Sequence, residues 1–427
     1  MMSTNGSMPR PTAEMLEQMT ELFGFRPSTE QAMAIAAPLE PSVIIAGAGT
    51  GKTTVMAARV TWLVAKGLVR ADQVLGLTFT RKATAELRTR VGRNLTKAGL
   101  LQPDDQEPTV LTYDSFAANL VSEFGAWIGV DPATRLISDA RCVQVALDVL
   151  HDPEKVPPRA GQVTARSIAE GVLSLSEQAS SHAVSMDDLR ATNDAWRHQL
   201  DQAAPRKNGE PYVDVVKAQN AAEQRDQLMW YAQEYRNLLT ERGFFRFSDR
   251  LNQAIQLVRD FPRIGQQIRS RYAVVLLDEY QDTSSSQARL LASLFSGSTP
   301  ENGRGHAVTA VGDPLQAIYG WRGAAANNIL DFPRHFPHRD GPDAYDNGQY
   351  SLTQNRRSNQ TILDCANAIS EGIRSDPKIG NVVKQLRVPE DEHAGREESP
   401  LPVGMPVQVH TLSLIHISEP TRPLYIS

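Results

Sequence analysis

The sequence predicts an α/β fold: a parallel sheet with a helical subdomain inserted into it. Three stretches carry that expectation. Ser42 to Ala46 is a short apolar, β-branched run that reads as a buried strand, and a glycine-rich turn follows it. Met56, Val60, Leu63 and Val64 then fall at i, i+4, i+7 and i+8, one face of a helix ending near Gly67. Tyr272 to Leu277 is almost wholly apolar, as suits a strand covered on both faces of a parallel sheet. Between them, from Phe116 to about Arg246, the pattern turns helical, with Pro157-Pro158 and Pro205 to Pro211 as breaks.

A chain of 427 residues exceeds one core and suggests two or three domains. With 41% hydrophobic and 22% charged residues, the composition is that of a globular protein. The net charge of −5 gives no global sign of nucleic-acid binding, so any such surface must be locally basic. Met1 to Pro11 is polar without an apolar leader, and no run approaches a membrane span. The two cysteines, Cys142 and Cys365, lie in amphipathic segments and read as buried thiols, which fits a cytoplasmic protein.

Strand, glycine loop, Lys-Thr and helix together make a P-loop. The turn Ala46-Gly47-Ala48-Gly49-Thr50-Gly51-Lys52-Thr53-Thr54 can wrap backbone N–H groups around a phosphate chain at a helix N-terminus. Lys52 can reach the terminal phosphates and the Thr53 hydroxyl can hold Mg²⁺. The first glycine of the strict pattern is Ala46 here. Nucleotide triphosphate binding, with ATP as ligand, is the expectation.

Further along the chain, Glu14 to Leu22 reads as a short helix. Ser28 and Gln31 fit a capping box for the next helix, Gln31 to Ala37, while the Gln31 amide could also pair with the N6 and N7 edge of adenine. Val74 to Thr80 reads as a second strand, running into a helix with exposed cations at Arg81 and Lys82. Phe79, Thr80 and Lys82 there suit a DNA groove, with Phe79 as a stacking platform; an ordinary strand and solvated helix is the plainer alternative. A third strand ends at Thr112-Tyr113-Asp114. The Asp114 carboxylate would repel phosphate and receives no binding role. Tyr212 to Thr240 reads as one or two long helices, in which Trp230, Tyr231 and Tyr235 are packing residues.

The apolar strand Tyr272 to Leu277 ends in Asp278-Glu279-Tyr280-Gln281-Asp282, at the ligand edge of a parallel sheet. Asp278 can hold Mg²⁺ through water and Glu279 can deprotonate the attacking water. After the strand His306 to Val311, Gln316 is placed to touch the γ-phosphate, and Tyr319 and Trp321 to stack on bases. Tyr350 to Thr353 starts another strand. Gln354-Asn355-Arg356-Arg357-Ser358 and a helix from Asn359 to Ser370 follow, with an arginine suited to act as a finger on the transferred phosphoryl group. Pro406 to Thr411 reads as one more strand.

In this order, the blocks AGAGTGKT, TFTRKATAELR, DEYQD, VGDPLQAIYGWRGA and QNRRS, with Gln31 ahead of them, resemble the UvrD/Rep/PcrA group of superfamily 1 DNA helicases. The resemblance covers roughly residues 20 to 411. It implies a P-loop NTPase (RecA-like) parallel sheet with an inserted helical subdomain and the start of a second RecA-like lobe. It also implies an ATP-dependent helicase moving 3′ to 5′ on single-stranded DNA, active at duplex junctions in repair or recombination. Lys52, Thr53, Asp278, Glu279, Gln316 and Arg357 would serve ATP and Mg²⁺, and Phe79, Tyr319 and Trp321 would contact bases. Where the family has an adenine-stacking tyrosine this chain has Arg356, whose guanidinium can also stack. Where the family commonly has Thr-Phe-His it has Thr-Tyr-Asp.

The domains expected are a disordered N-terminus with a first helix (1–19), a first lobe (20–115 and 246–345) and an inserted helical subdomain (116–245). The start of a second lobe (346–411) and a non-native tail (412–427) follow. The later family blocks are absent, and Ser413 to Ser427 looks like translated adapter sequence, so truncation near Leu412 is expected. Two other readings follow from that. The motor could be one subunit of a RecB-like helicase–nuclease, paired with a second subunit. Alternatively, the chain as written could be a nucleotide-binding module without unwinding activity.

Overall fold

The computed structural model describes residues 10–102, 105–130, 134–152, 164–182, 184–320, 324–340 and 348–389. Residues 1–9, Trp321, the strand expected at Pro406 to Thr411 and the tail lie outside the described residues.

The chain opens with helices α1 (Ala13–Phe23) and α2 (Thr29–Ile35), the second begun by a complete Ser28–Gln31 capping box. Strand β1 (Ser42–Ala46) leads through the glycine loop into α3 (Lys52–Ala65). Strand β2 (Val74–Thr78) leads into α4 (Arg81–Lys97), and β3 (Thr109–Thr112) into α5 (Tyr113–Phe124). The helical excursion begins with β4 (Arg135–Leu136). It continues through α6 (Asp139–His151), α7 (Ala165–Ser181), α8 (Met186–Asp201) and α9 (Val213–Glu241), and closes with β5 (Phe244–Phe245). The predicted one or two helices around Tyr212 are thus a single helix, α9.

The sheet then resumes. Helices α10 (Phe247–Asp260) and α11 (Pro262–Arg271) precede β6 (Val274–Leu277), and α12 (Ser285–Phe295) precedes β7 (Ala307–Gly312). The last described elements are α13 (Phe332–His335), β8 (Gln349–Leu352), α14 (Gln360–Arg374) and α15 (Pro377–Gly380).

Six strands form one parallel sheet in the order β3-β2-β6-β7-β1-β8. Its C-terminal edge therefore collects the loops after every strand at one rim, where ligands of open α/β sheets bind. Residues alternate between the two faces with the strand period of two. Val43 and Ile45 of β1 enter one apolar cluster with Leu75, Leu277 and Val308, whereas Ile44 and Ala46 enter a second with Met56, Leu276 and Val311. Both faces are covered by helices, which is why the strands read as continuous apolar runs rather than alternating ones. Each fully buried Val, Leu or Ile contributes roughly 1.5–3 kcal/mol.

The excursion carries a third core of its own, in which Tyr231 and Tyr235 of α9 pack against Cys142, Val145 and Val172. Strands β4 and β5 pair in parallel, joining the entrance of the excursion to its exit. Helix α5 lies on the sheet side of that clasp: Tyr113, Phe116, Leu120 and Phe124 belong to the main core. Strand β8 pairs with β1 through Val43–Gln349 to Ala46–Leu352, so the head of the segment 346–411 completes the same sheet. Cys142 is buried and Cys365 half-buried, and both are free thiols. Among the described residues no helix is long and apolar enough to cross a membrane.

Two basic side chains are packed into the fold. Arg59 on α3 is fully buried without a carboxylate partner among the described residues. Its guanidinium donates to the carbonyls of Ala34, Ile35, Ala37 and Pro38 and to Thr309 Oγ1, and burial lowers it to about 10. Those carbonyls lie at the C-terminal end of α2, where helix acceptors otherwise go unmet. The second group, His306, stacks on Phe295 with ring centroids 5.3 Å apart.

Burial first, and then the nearby charge of Arg269, lowers His306 to about 4. In the unfolded chain the imidazole titrates near ~6.5. Above that value both states are neutral. As the pH falls from ~6.5 towards 4, only the unfolded chain gains the proton, so the fold loses stability over that window. The His306→Phe variant should show a smaller drop in Tm between pH 7 and pH 5 than the parent, and equal drops would contradict the assignment.

Candidate active site

The glycine loop is shaped by two left-handed residues, Gly49 (φ 74°) and Gly51 (φ 92°). Gly49 is required for a second reason, since a β-carbon there would lie 2.7 Å from Arg357 Cβ and 2.8 Å from the Asn355 amide nitrogen. Thr50 is buried, with its hydroxyl donating to the Gly47 carbonyl at 2.8 Å. Ala46, the departure from the strict motif, is the last residue of β1, paired with Leu352 and fully buried, so its methyl group packs in the core. The loop delivers Lys52 and Thr53 to the first turn of α3, whose N-terminus carries a partial positive charge suited to phosphate.

Lys52 Nζ lies 3.1 Å from Glu279 Oε2, so the P-loop and the end of β6 are joined directly. Glu279 is the single non-glycine residue with positive φ among the described residues (φ 47°, ψ 47°). That conformation costs about 1–2 kcal/mol and turns the side chain towards the P-loop. Asp278 is buried beside it, with Oδ1 accepting from the Glu279 N–H at 3.1 Å. Burial raises the Asp278 carboxyl to about 7; the Glu279 charge adds to this and Lys52 opposes it. The Asp278 carboxylate and the Thr53 hydroxyl are hard oxygen donors of the kind Mg²⁺ takes, and a cation would favour the ionised Asp278 that burial disfavours.

Gln31 completes the capping box, and its Nε2 donates to the Thr50 carbonyl at 3.0 Å, so one amide serves both helix α2 and the P-loop. The Thr54 hydroxyl accepts from Arg90 Nη1 at 2.7 Å and so faces α4. Gln316, on the turn Pro314–Gln316 after β7, donates to Asp313 Oδ2 at 2.6 Å. Arg356 and Arg357 are exposed and lie over the loop: Arg356 N–H donates to the Gly49 carbonyl at 2.9 Å.

The residues predicted to meet DNA, Trp321 apart, lie after β2 and β7. Phe79, after β2, and Tyr319, after β7, meet with ring centroids 4.8 Å apart. Thr80 caps α4 by accepting from the Ala83 N–H at 3.1 Å, and Lys82 is exposed on the first turn. A cleft of about 850 Å³ opens beside them, lined by Phe79, Thr80, Arg81, Asp114, Arg250 and Gln287. Asp114, given no binding role from sequence, accepts from Gln287 Nε2 at 2.9 Å.

Sequence reasoning passed over two buried amides. Asn355 Nδ2 donates to the Ala48 carbonyl at 2.5 Å, while its Oδ1 accepts from the backbone N–H groups of Arg357 and Ser358, each at 2.8 Å. Gln281 is buried between Glu279 and Asp313. The available signal was an amide inside each charged block, a neutral side chain able to donate and accept at once.

A parallel sheet with a P-loop after β1 and paired acids after β6 defines a P-loop domain of the RecA-like class. Comparison with known proteins narrows this: residues 27–337 match the model of the UvrD/REP helicase N-terminal domain, and the chain belongs to that family. It is 28% identical over 363 residues to the ATP-dependent DNA helicase UvrD1 of Mycobacterium leprae (strain TN), covering 82% of this chain and 39% of that protein. Similarity to UvrD1 of Mycobacterium tuberculosis (strain ATCC 25618 / H37Rv) is 29% over 366 residues, 84% of this chain and 40% of the relative. The ATP-dependent DNA helicase PcrA of Staphylococcus aureus (strain Mu50 / ATCC 700699) is 27% identical over 349 residues, 80% of this chain and 39% of the relative. The chain thus spans about two fifths of the length of these relatives.

Replacing Asn355 by alanine would strip the Ala48 carbonyl and two N–H groups of their partner, at a cost of about 1–3 kcal/mol. Urea unfolding of Asn355→Ala should show that loss, and hydrogen exchange at the Arg357 and Ser358 amides should accelerate. Unchanged exchange would refute the role of this amide as the tie between loop and P-loop.

Proposed function

We propose that this chain is the ATP-binding part of a DNA helicase or translocase that couples ATP hydrolysis to 3′ to 5′ movement on single-stranded DNA. Repair or recombination is the setting. The observation that carries this reading is the shared rim: the Lys52–Glu279 pair and the Phe79–Tyr319 ring pair sit on loops of one sheet edge. The relatives, named as ATP-dependent DNA helicases, support it.

In this reading Lys52 holds the terminal phosphates, and Thr53 and Asp278 hold Mg²⁺. When bound, Mg²⁺ screens the phosphate charge and orients the phosphate chain. Glu279, released from Lys52 as the phosphates take over that cation, accepts a proton from the attacking water. Arg357 stabilises charge on the transferred group from above the loop, and Gln316 reports its loss. Gln31 selects the base by its amide, and Arg356 stacks on it. Phe79 and Tyr319, with Trp321, give single-stranded DNA a sequence-tolerant surface worth ~1–3 kcal/mol per stacked base, while Thr80 and Lys82 meet phosphates.

Loss of a charge-assisted contact worth ~1.5–3 kcal/mol corresponds to roughly 10- to 100-fold in affinity. Lys52→Ala should weaken ATP binding by about that factor in a fluorescent-nucleotide titration and abolish DNA-stimulated hydrolysis. Normal turnover in the variant would overturn the site.

A further inference from the structure

The segment after the catalytic acids does more than leave the sheet. Gln281 is 1% exposed, and its amide has three partners. Nε2 donates to Glu279 Oε2 at 2.9 Å, the same oxygen that meets Lys52, and reaches Asp282 Oδ2 at 3.4 Å. At the other end Oε1 accepts from the Asp313 backbone N–H at 3.0 Å. That end requires the glycine beside it, for a β-carbon on Gly312 would lie 2.1 Å from Oε1.

Asp313 begins the loop that carries Tyr319. Its carboxylate accepts from the Leu315 N–H at 3.0 Å and from Gln316 Nε2 at 2.6 Å. The far end of the same loop is held by the next residues of the acidic segment. The Ala325 N–H donates to the Thr283 carbonyl at 3.0 Å, and Ser284 forms an antiparallel bridge with Ala324. Asn328 Nδ2 also donates to the Thr283 carbonyl and hydroxyl, at 2.9 and 3.0 Å. The chain from 281 to 284 therefore grips both ends of the loop that brings Tyr319 onto Phe79. Asp282 stands beside it, buried, with Oδ1 lacking a hydrogen-bond partner among the described residues.

We infer that Gln281 is a positioning residue that passes the state of the nucleotide pocket to the Phe79–Tyr319 pair, an inference that rests on the helicase reading above. In the structure Glu279 Oε2 is shared between the Lys52 ammonium and the Gln281 amide. Once Lys52 turns to phosphate, the amide is the remaining partner of that oxygen among the described residues. Glu279 and Gln281 then move together or separate, and either movement is felt at Asp313, because one planar amide bonds to both ends, with its oxygen seated against Gly312 on the Asp313 N–H. Gln316 is tied to Asp313 and follows it; Gln281 is the member that touches both sides. The relay needs a side chain that donates at one end and accepts at the other, over the length of a glutamine.

The test is thermodynamic linkage in the 427-residue chain. The affinity of a fluorescein-labelled oligothymidylate is measured with and without a non-hydrolysable β,γ-imido ATP analogue. The parent should show a change of about 5- to 150-fold between the two states. Gln281→Met, similar in length but unable to make either bond, should bind both ligands with the ratio reduced towards one. A merely structural role would lower Tm and both affinities and leave the ratio as it was. Should the methionine variant fail to fold, Gln281→Asn, too short to span Glu279 and Asp313, is expected to give the same loss of linkage. A folded variant that keeps the parental ratio overturns this inference and leaves the helicase reading standing. A parent that binds neither ligand, or binds both without linkage, overturns the two together.

Discussion

A lysine and a glutamate 3.1 Å apart hold the rim of this sheet together. Lys52 comes from the first turn of α3 and Glu279 from the end of β6, two strands away from β1 in the sheet order. The pair neutralises a place that would otherwise be hard to build. Asp278, buried next door, is pushed up to about 7, and Asp282 up to about 6, in each case by burial first and by the Glu279 charge second. Lys52 works against both shifts. Without a cation, three carboxylates could not crowd one strand end as charged groups. The left-handed backbone at Glu279 is the conformational cost of turning its carboxylate towards that lysine.

Much of this was legible in the residues. A strand buried on both faces shows as an apolar run, so β1, β6 and β7 could be located to within a residue or two. The P-loop is a local motif whose loop geometry depends on glycines at fixed offsets, and Gly49 and Gly51 carry the positive φ that it needs. Tyr231 and Tyr235 were read as packing residues and are buried in the helical core.

What escaped was set by distance along the chain. Periodicity does not say which sheet a strand joins, and Gln349–Leu352 hydrogen-bonds to β1. An amide inside a charged block gives no hint of its partner, which is why Gln281 and Asn355 stayed hidden although each is 1% exposed. Gln31 does cap α2, and its amide also holds the Thr50 carbonyl, a long-range contact that the capping pattern does not announce. Thr54 looked equivalent to Thr53 in sequence. Arg90, thirty-six residues on, draws its hydroxyl to α4.

The pairing of β4 with β5 has a consequence for how the polypeptide is threaded. Because the outgoing and returning strands meet at Arg135–Phe244 and Leu136–Phe245, the helices between them form a closed parenthesis in the path of the chain. Its own apolar interior, built around Tyr235, gives that bracketed region the means to condense separately. Lengthening or shortening it would leave the seam where it is, and the register of β3 against β2, and of β2 against β6, would not feel the difference. Variation in bulk is thereby kept apart from the strand pairing of the main sheet.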